Sequence, residues 1–183
     1  MADFQLGLPI TRIRPRRKRG PSVPLLELFM RIEETQASAA IRESAWVFPI
    51  ILSVHALGTA LSVGTLAWFD LRLLGLKMGQ QPVSEVYRQL APWTIAGFIV
   101  MAISGGLLFF ASAARCYEDI FFRIKFAALV FAGGNALVYH LAIRRNIAEW
   151  DKAPIPPMGA RLSGLLSLVA WTVTIVSGRL IFA

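Results

Sequence analysis

The chain has 183 residues, 56% of them hydrophobic and only 16% charged, with a mean hydropathy of +0.58. Soluble domains carry about 25% charged residues, so an ordinary soluble enzyme is excluded. The formal net charge of +8 does not indicate nucleic acid, because Arg12, Arg14, Arg16, Arg17, Lys18 and Arg19 supply six of it as one local patch and not as a folded basic face.

Residues 1–24 hold that cluster together with Pro9, Pro15, Pro21 and Pro24, which predicts a polar, extended N-terminal tail. The first long apolar stretch begins only at residue 44, too far from Met1 for a secretory signal. Between 25 and 43, Leu25, Leu28, Phe29 and Ile32 recur at helical spacing opposite Glu27, Arg31, Glu33 and Glu34. This describes an amphipathic helix in the membrane interface, holding the basic tail against anionic headgroups.

Of the 30 charged residues, 13 lie in 1–43, so long charge-free windows follow. They predict transmembrane helices at about 44–69, 91–114, 121–143 and 162–183, each long enough or nearly so to cross about 30 Å of hydrocarbon at about 1.5 Å per residue. The expected fold is all-α: an integral membrane four-helix bundle over 44–183 with an N-terminal interfacial amphipathic helix. The connections at 70–88, 115–125 and 144–161 carry the remaining charges and breakers such as Gly79, Pro82, Pro154, Pro156 and Pro157, and none is long enough for a second domain. Trp46, Trp68, Trp93 and Trp150 fall near span ends, where indoles belong, and Trp171 falls near mid-span. The distribution of Lys and Arg places both termini in the cytoplasm.

Polar side chains inside a span are costly and mark candidate sites. His55 leads, because its helical face carries Gly58, Thr59 and Ser62 and should point into the bundle. Ser104, Asn135, Thr172 and Thr174 sit near mid-span and predict one polar layer across the core. His140, on a different span, suggests a b-type haem held between His55 and His140, with the paired glycines Gly105-Gly106 and Gly133-Gly134 leaving room for the macrocycle. Arg42 and Arg179, near span ends, would pair with haem propionates. Depths counted from span centres put the two histidines about 11 Å apart along the membrane normal, at about 1.5 Å per residue. Met101, nearer to His55 in depth, is the alternative axial ligand. Copper or another metal held by His55 and His140 is a further reading. In the plainest one, His55 merely hydrogen-bonds across the bundle and His140 sits at the interface beside Tyr139.

Asp70 and Arg72 are two apart and do not share a helical face. They either terminate the span or form a charged rim in which Asp70 meets Arg144 or Arg145. Arg179 is expected to snorkel to the headgroups, and Ser167, Trp171, Thr174 and Gly178 to form a packing stripe. The single cysteine, Cys116, excludes an intramolecular disulfide and reads as a free thiol.

The run from Ile41 to Trp46, then Pro49, His55 with Gly58, Gly64, Asp-Leu-Arg-Leu-Leu-Gly from Asp70 to Gly75, the Phe122 to Lys125 segment, Asn135, His140, and Gly178-Arg179-Leu180 together resemble a family of uncharacterised bacterial four-span membrane proteins. The resemblance runs from about residue 25 to the end and implies a bacterial inner membrane and the four-span architecture. Many members carry an acidic residue shortly before the first histidine, where this chain has Leu52 or a neighbour. A weaker likeness, in span count and span histidines, is to haem b membrane-anchor subunits and copper-resistance membrane proteins. No nucleophile–base pair, Walker loop or carboxylate pair is present, so a stand-alone enzyme is not expected. The leading expectation is a subunit that binds one haem b and passes electrons between the quinone pool and a partner protein, or anchors that partner. Its rivals are a cofactor-free structural subunit and metal handling through His55, Met101 and His140.

Overall fold

The structure is a computed structural model that describes residues 24–76 and 81–181, so the basic cluster at 12–19 lies outside the described residues. Four helices are long and apolar enough to cross a membrane: α3 (Val47–Leu73), α4 (Val83–Ala111), α6 (Ile120–Val138, continuing to Trp150), and α8 (Met158–Leu180). Shorter helices α1 (Pro24–Glu33), α2 (Gln36–Glu43) and α5 (Ala113–Glu118) lie at the end where α3 starts, and α7 (Ile147–Trp150) lies at the other. No strand occurs among the described residues. The protein is an all-α, multi-pass membrane bundle.

The spans differ from expectation at their ends. α3 runs on through Asp70 and Arg72, and α4 starts at Val83, well before the expected 91. Charged side chains in the headgroup zone do not break a helix; they only leave the hydrocarbon. At 27 residues α3 is about 40 Å long, more than the hydrocarbon alone requires. The single interfacial helix expected over 25–43 is two, separated at Thr35, whose hydroxyl caps α2 by accepting from the Ser38 N–H.

α1 and α2 are fastened to the bundle by the break between α4 and α5. The last carbonyls of α4 have no partner within their own helix. Ser38 donates to the Phe110 carbonyl (3.0 Å) and Arg42 to that of Ala111 (3.1 Å). In return the Glu33 carboxylate accepts from the Ala114 N–H at the start of α5 (2.8 Å). Phe29 adds edge contacts to Phe109 and Tyr117.

The opposite end is closed by the run Asp-Leu-Arg-Leu-Leu-Gly. Gly75 adopts φ +75, and the N–H groups of Gly75 and Leu76 bond to the carbonyls of Arg72 and Leu71, which is the left-handed stop of a Schellman turn. Arg72, fully buried, donates to the Gln81 carbonyl (3.0 Å) and to that of Ala153 (3.2 Å), tying two loops together. Asp151 reaches from the second loop to α4, accepting from the N–H and hydroxyl of Ser84 at 2.7 and 2.6 Å. It supplies the cap that Pro82 cannot.

α3 packs on α4, α6 on α8, and the two hairpins join where α3 meets α8. Glycines set the close approaches. A Cβ on Gly97 would lie 2.6 Å from the Ser62 nitrogen, and one on Gly164 would lie 3.0 Å from the Asp70 carbonyl oxygen. Ser167, Trp171 and Thr174 of the expected packing stripe are buried, with Trp171 in a core cluster beside Met101, Ala132 and Ala170.

Candidate functional site

The two outer helices of this row, α4 and α6, face each other across a gap. They meet at one end through stacked Phe109 and Phe122 (centroids 5.4 Å) and at the other through Tyr87 and His140 (5.7 Å). From 87 to 109 along α4 is about 33 Å at about 1.5 Å per residue. Between these aromatic bridges lies a mainly apolar cavity of about 1010 Å³, at the upper limit of the roughly 300–1,000 Å³ usual for ligand sites. Its wall includes the exposed residues Phe98 and Ala102 of α4 and Phe126, Gly133 and Ala136 of α6. The cavity is thus a slit along the bundle, opening on the surface that faces lipid.

His55 lines the slit near the α1–α2 end. Its Nδ1 donates to the Met101 carbonyl (3.0 Å), because a carbonyl can only accept, and the Ser104 hydroxyl lies 3.1 Å from the same nitrogen. Ser104 gives its own proton to the Val100 carbonyl (2.6 Å). The ring rests on Gly105, where a Cβ would come within 3.0 Å of Cε1. Pinned through Nδ1, a neutral imidazole has its Nε2 lone pair free for a ligand, as metal-bound and proton-accepting histidines do.

The other expected ligands are not brought to it. His55 sits at the level of Ser104 and His140 at that of Tyr87. From 87 to 104 along α4 is about 25 Å at about 1.5 Å per residue. The histidines therefore do not share one iron or one copper ion, which corrects the pairing expected from the sequence. Met101 stands beside the His55 ring on the α3–α4 wall instead of across the slit. Arg42 caps α4 and pairs with Glu33 and Glu43, outside the slit, so it is not a propionate partner. Arg179 lines the slit at its α5 end and is exposed. Among the described residues no group of three or more His, Cys, Asp or Glu is placed to hold a metal.

The expected polar layer is two separate levels. Ser104 belongs to the His55 level. Asn135 donates across to the Ser163 carbonyl (2.9 Å), near the Asp70 end. Thr174 bonds back to its own helix, and Thr172 does so on the exposed face. Asp70 meets neither Arg144 nor Arg145. It lies beside Ser167, while Arg144 lies over the Tyr87 ring (4.3 Å). The second oxygen of Asp70 and the Tyr139 hydroxyl are both buried without a partner, and both residues border the slit.

One residue of the slit was missed from the sequence. Lys125, at the point where the expected connection 115–125 overlaps the expected span 121–143, lies inside α6 and lines the cavity. A charge read as a span boundary hid it, and the apolar residues on both sides of it were the available signal.

Residues 46–183 match a family of unknown function, DUF6644. The chain belongs to that family. The matched stretch starts at Trp46, later than the resemblance read from about residue 25, and takes in all four long helices. No curated protein and no solved structure matches the chain.

Cys116 is on the buried face of α5, and burial together with the nearby carboxylates of Asp119 and Glu33 pushes its thiol up to about 11. It is expected to resist maleimide at pH 8 in the folded protein and to react within minutes after unfolding, as mass spectrometry of the labelled chain would read. Rapid labelling of the folded chain would contradict the burial.

Proposed function

We propose that the protein is a subunit of the bacterial inner membrane, with both termini cytoplasmic, that takes one lipophilic molecule from the bilayer into the slit between α4 and α6 and serves a partner complex as an electron-transfer or anchor subunit. The observation that carries this reading is the slit itself, mainly apolar, open toward lipid, and holding a histidine whose Nε2 is left free by a bond at Nδ1.

A second reading is supported by the pinned imidazole alone: a b-type haem with His55 as its one histidine ligand, and Arg179 as a cation for its propionates. Such a group would supply one-electron chemistry. His55 would orient it, and the apolar walls would keep water from it.

Mass spectrometry of small molecules released from the detergent-purified protein tests both readings, together with oxidised and dithionite-reduced absorption spectra. We expect about one lipophilic molecule per chain. Gly133→Trp, at a glycine whose Cβ would meet nothing within 4 Å, should fill the slit and expel the molecule without unfolding the bundle. Equal release from both proteins would remove the slit reading. If a Soret band is present, His55→Ala should abolish it, and its absence in haem-replete cells would remove the haem reading.

A further inference from the structure

Lys125 lies across Gly178 of α8, where an added Cβ would stand 3.1 Å from Nζ and 3.5 Å from Cε. The absence of a side chain at Gly178 lets the lysine lie close against α8 at that point. The ammonium lines the slit within electrostatic reach of His55, and Lys125 makes no hydrogen bond and no ion pair among the described residues. A cation in an apolar membrane cavity calls for an anion, because neither water nor lipid tails replace its lost hydration. Two partly buried carboxylates at this end are already engaged, Glu33 on the Ala114 N–H and Arg42, and Asp119 on the N–H groups of Phe121 and Phe122, while Glu34 and Glu118 are exposed. Asp70 stands at the opposite end of the slit. Arg179, also on the slit wall, is exposed.

We propose that the occupant is a single-chain amphiphile with a carboxylate head, an unesterified fatty acid, whose head is held by Lys125 and whose chain lies along the slit toward Tyr87 and His140. This rests on the slit being a ligand site and specifies its ligand. One ammonium matches one monoanionic head. The head must also be small, because α5 covers that end of the bundle: Arg115 donates to the Ile181 carbonyl (3.3 Å), and Ala113 and Cys116 of α5 are buried against the bundle. Beyond Lys125 the wall is mainly aromatic, Leu, Ala and Gly, interrupted by His55, Thr59 and Thr174 before the Asn135 and Asp70 level, so an alkyl chain finds mostly apolar contact.

Native mass spectrometry of the full chain in detergent micelles, with hexadecanoic acid or hexadecan-1-ol added at equal concentration, tests the assignment. The expected result is one acid per chain, bound at least tenfold more tightly than the alcohol. Lys125→Gln should bring the acid down to the level of the alcohol, and Lys125→Arg should keep the preference. Equal binding of acid and alcohol by the native chain overturns the carboxylate assignment and leaves the slit as a ligand site, and so does a preference that survives Lys125→Gln. Binding of neither removes the slit reading as well. If Lys125→Gln does not fold by circular dichroism, the native comparison of acid with alcohol decides alone.

Discussion

Gly97→Ala is expected to destabilise the bundle by about 3 kcal/mol, a larger penalty than one methyl group usually brings. Helix propensity alone predicts the opposite sign, since alanine is favoured over glycine by about 1 kcal/mol in a helix. The contact decides. A Cβ at Gly97 would stand 2.6 Å from the Ser62 nitrogen and 2.9 Å from the Gly58 carbonyl oxygen, both backbone atoms that no rotamer change can move. α3 and α4 must then separate along the whole interface that Gly58 and Ser62 line from the other side. Gly106→Ala is the control, because its Cβ would meet nothing within 4 Å. It should be neutral or stabilising. Thermal unfolding of both variants in the same detergent reads the difference, and equal melting temperatures would show that α3 and α4 do not approach so closely.

Arg72→Met should cost about 3 kcal/mol and open the loops on either side of it to protease. The guanidinium holds the Gln81 and Ala153 carbonyls, and hydrogen bonds from a charged donor contribute about 1.5–3 kcal/mol each. Its NH1 is buried without a partner, so methionine also removes a desolvated nitrogen and part of the loss is returned. Arg72→Lys should not rescue, because an ammonium on a flexible stem cannot fork to two carbonyls from separate loops. Limited proteolysis in the connection before α4 and between α7 and α8, read beside the melting temperature, checks this. Full rescue by lysine would reduce the role of Arg72 to its charge.

The four spans were legible in the sequence because a bilayer imposes a one-dimensional criterion, a long enough stretch without charge. Their ends were not, because charge and helix end were treated as one event. Glu85 and Arg88 sit within the first turns of α4, and Asp70 and Arg72 within the last turns of α3. Carrying α3 on to Leu73 shifts its centre and leaves His55 nearer the α1–α2 end, which accounts for part of the separation from His140. The rest lies in how the hairpins are offset against each other, which no single helix encodes. Lys125 was lost to the same boundary rule. The inward packing of the His55 face was legible, since its small residues do meet a neighbour, at Gly97, Met101 and Ser104. Its second ligand was assigned by elimination among two histidines, and elimination carries no geometry. Arg42 shows the limit in another way: a cation near a span end is as readily a cap for stranded carbonyls as a ligand for an anion.

The window between the Phe109–Phe122 and Tyr87–His140 bridges opens sideways, so any occupant is exchanged with the lipid phase and not with water. Its chemical potential is then fixed by its mole fraction in the bilayer or micelle, and half-saturation belongs on that scale. Diluting the protein in buffer should leave occupancy unchanged, while adding empty detergent at constant protein should strip the slit.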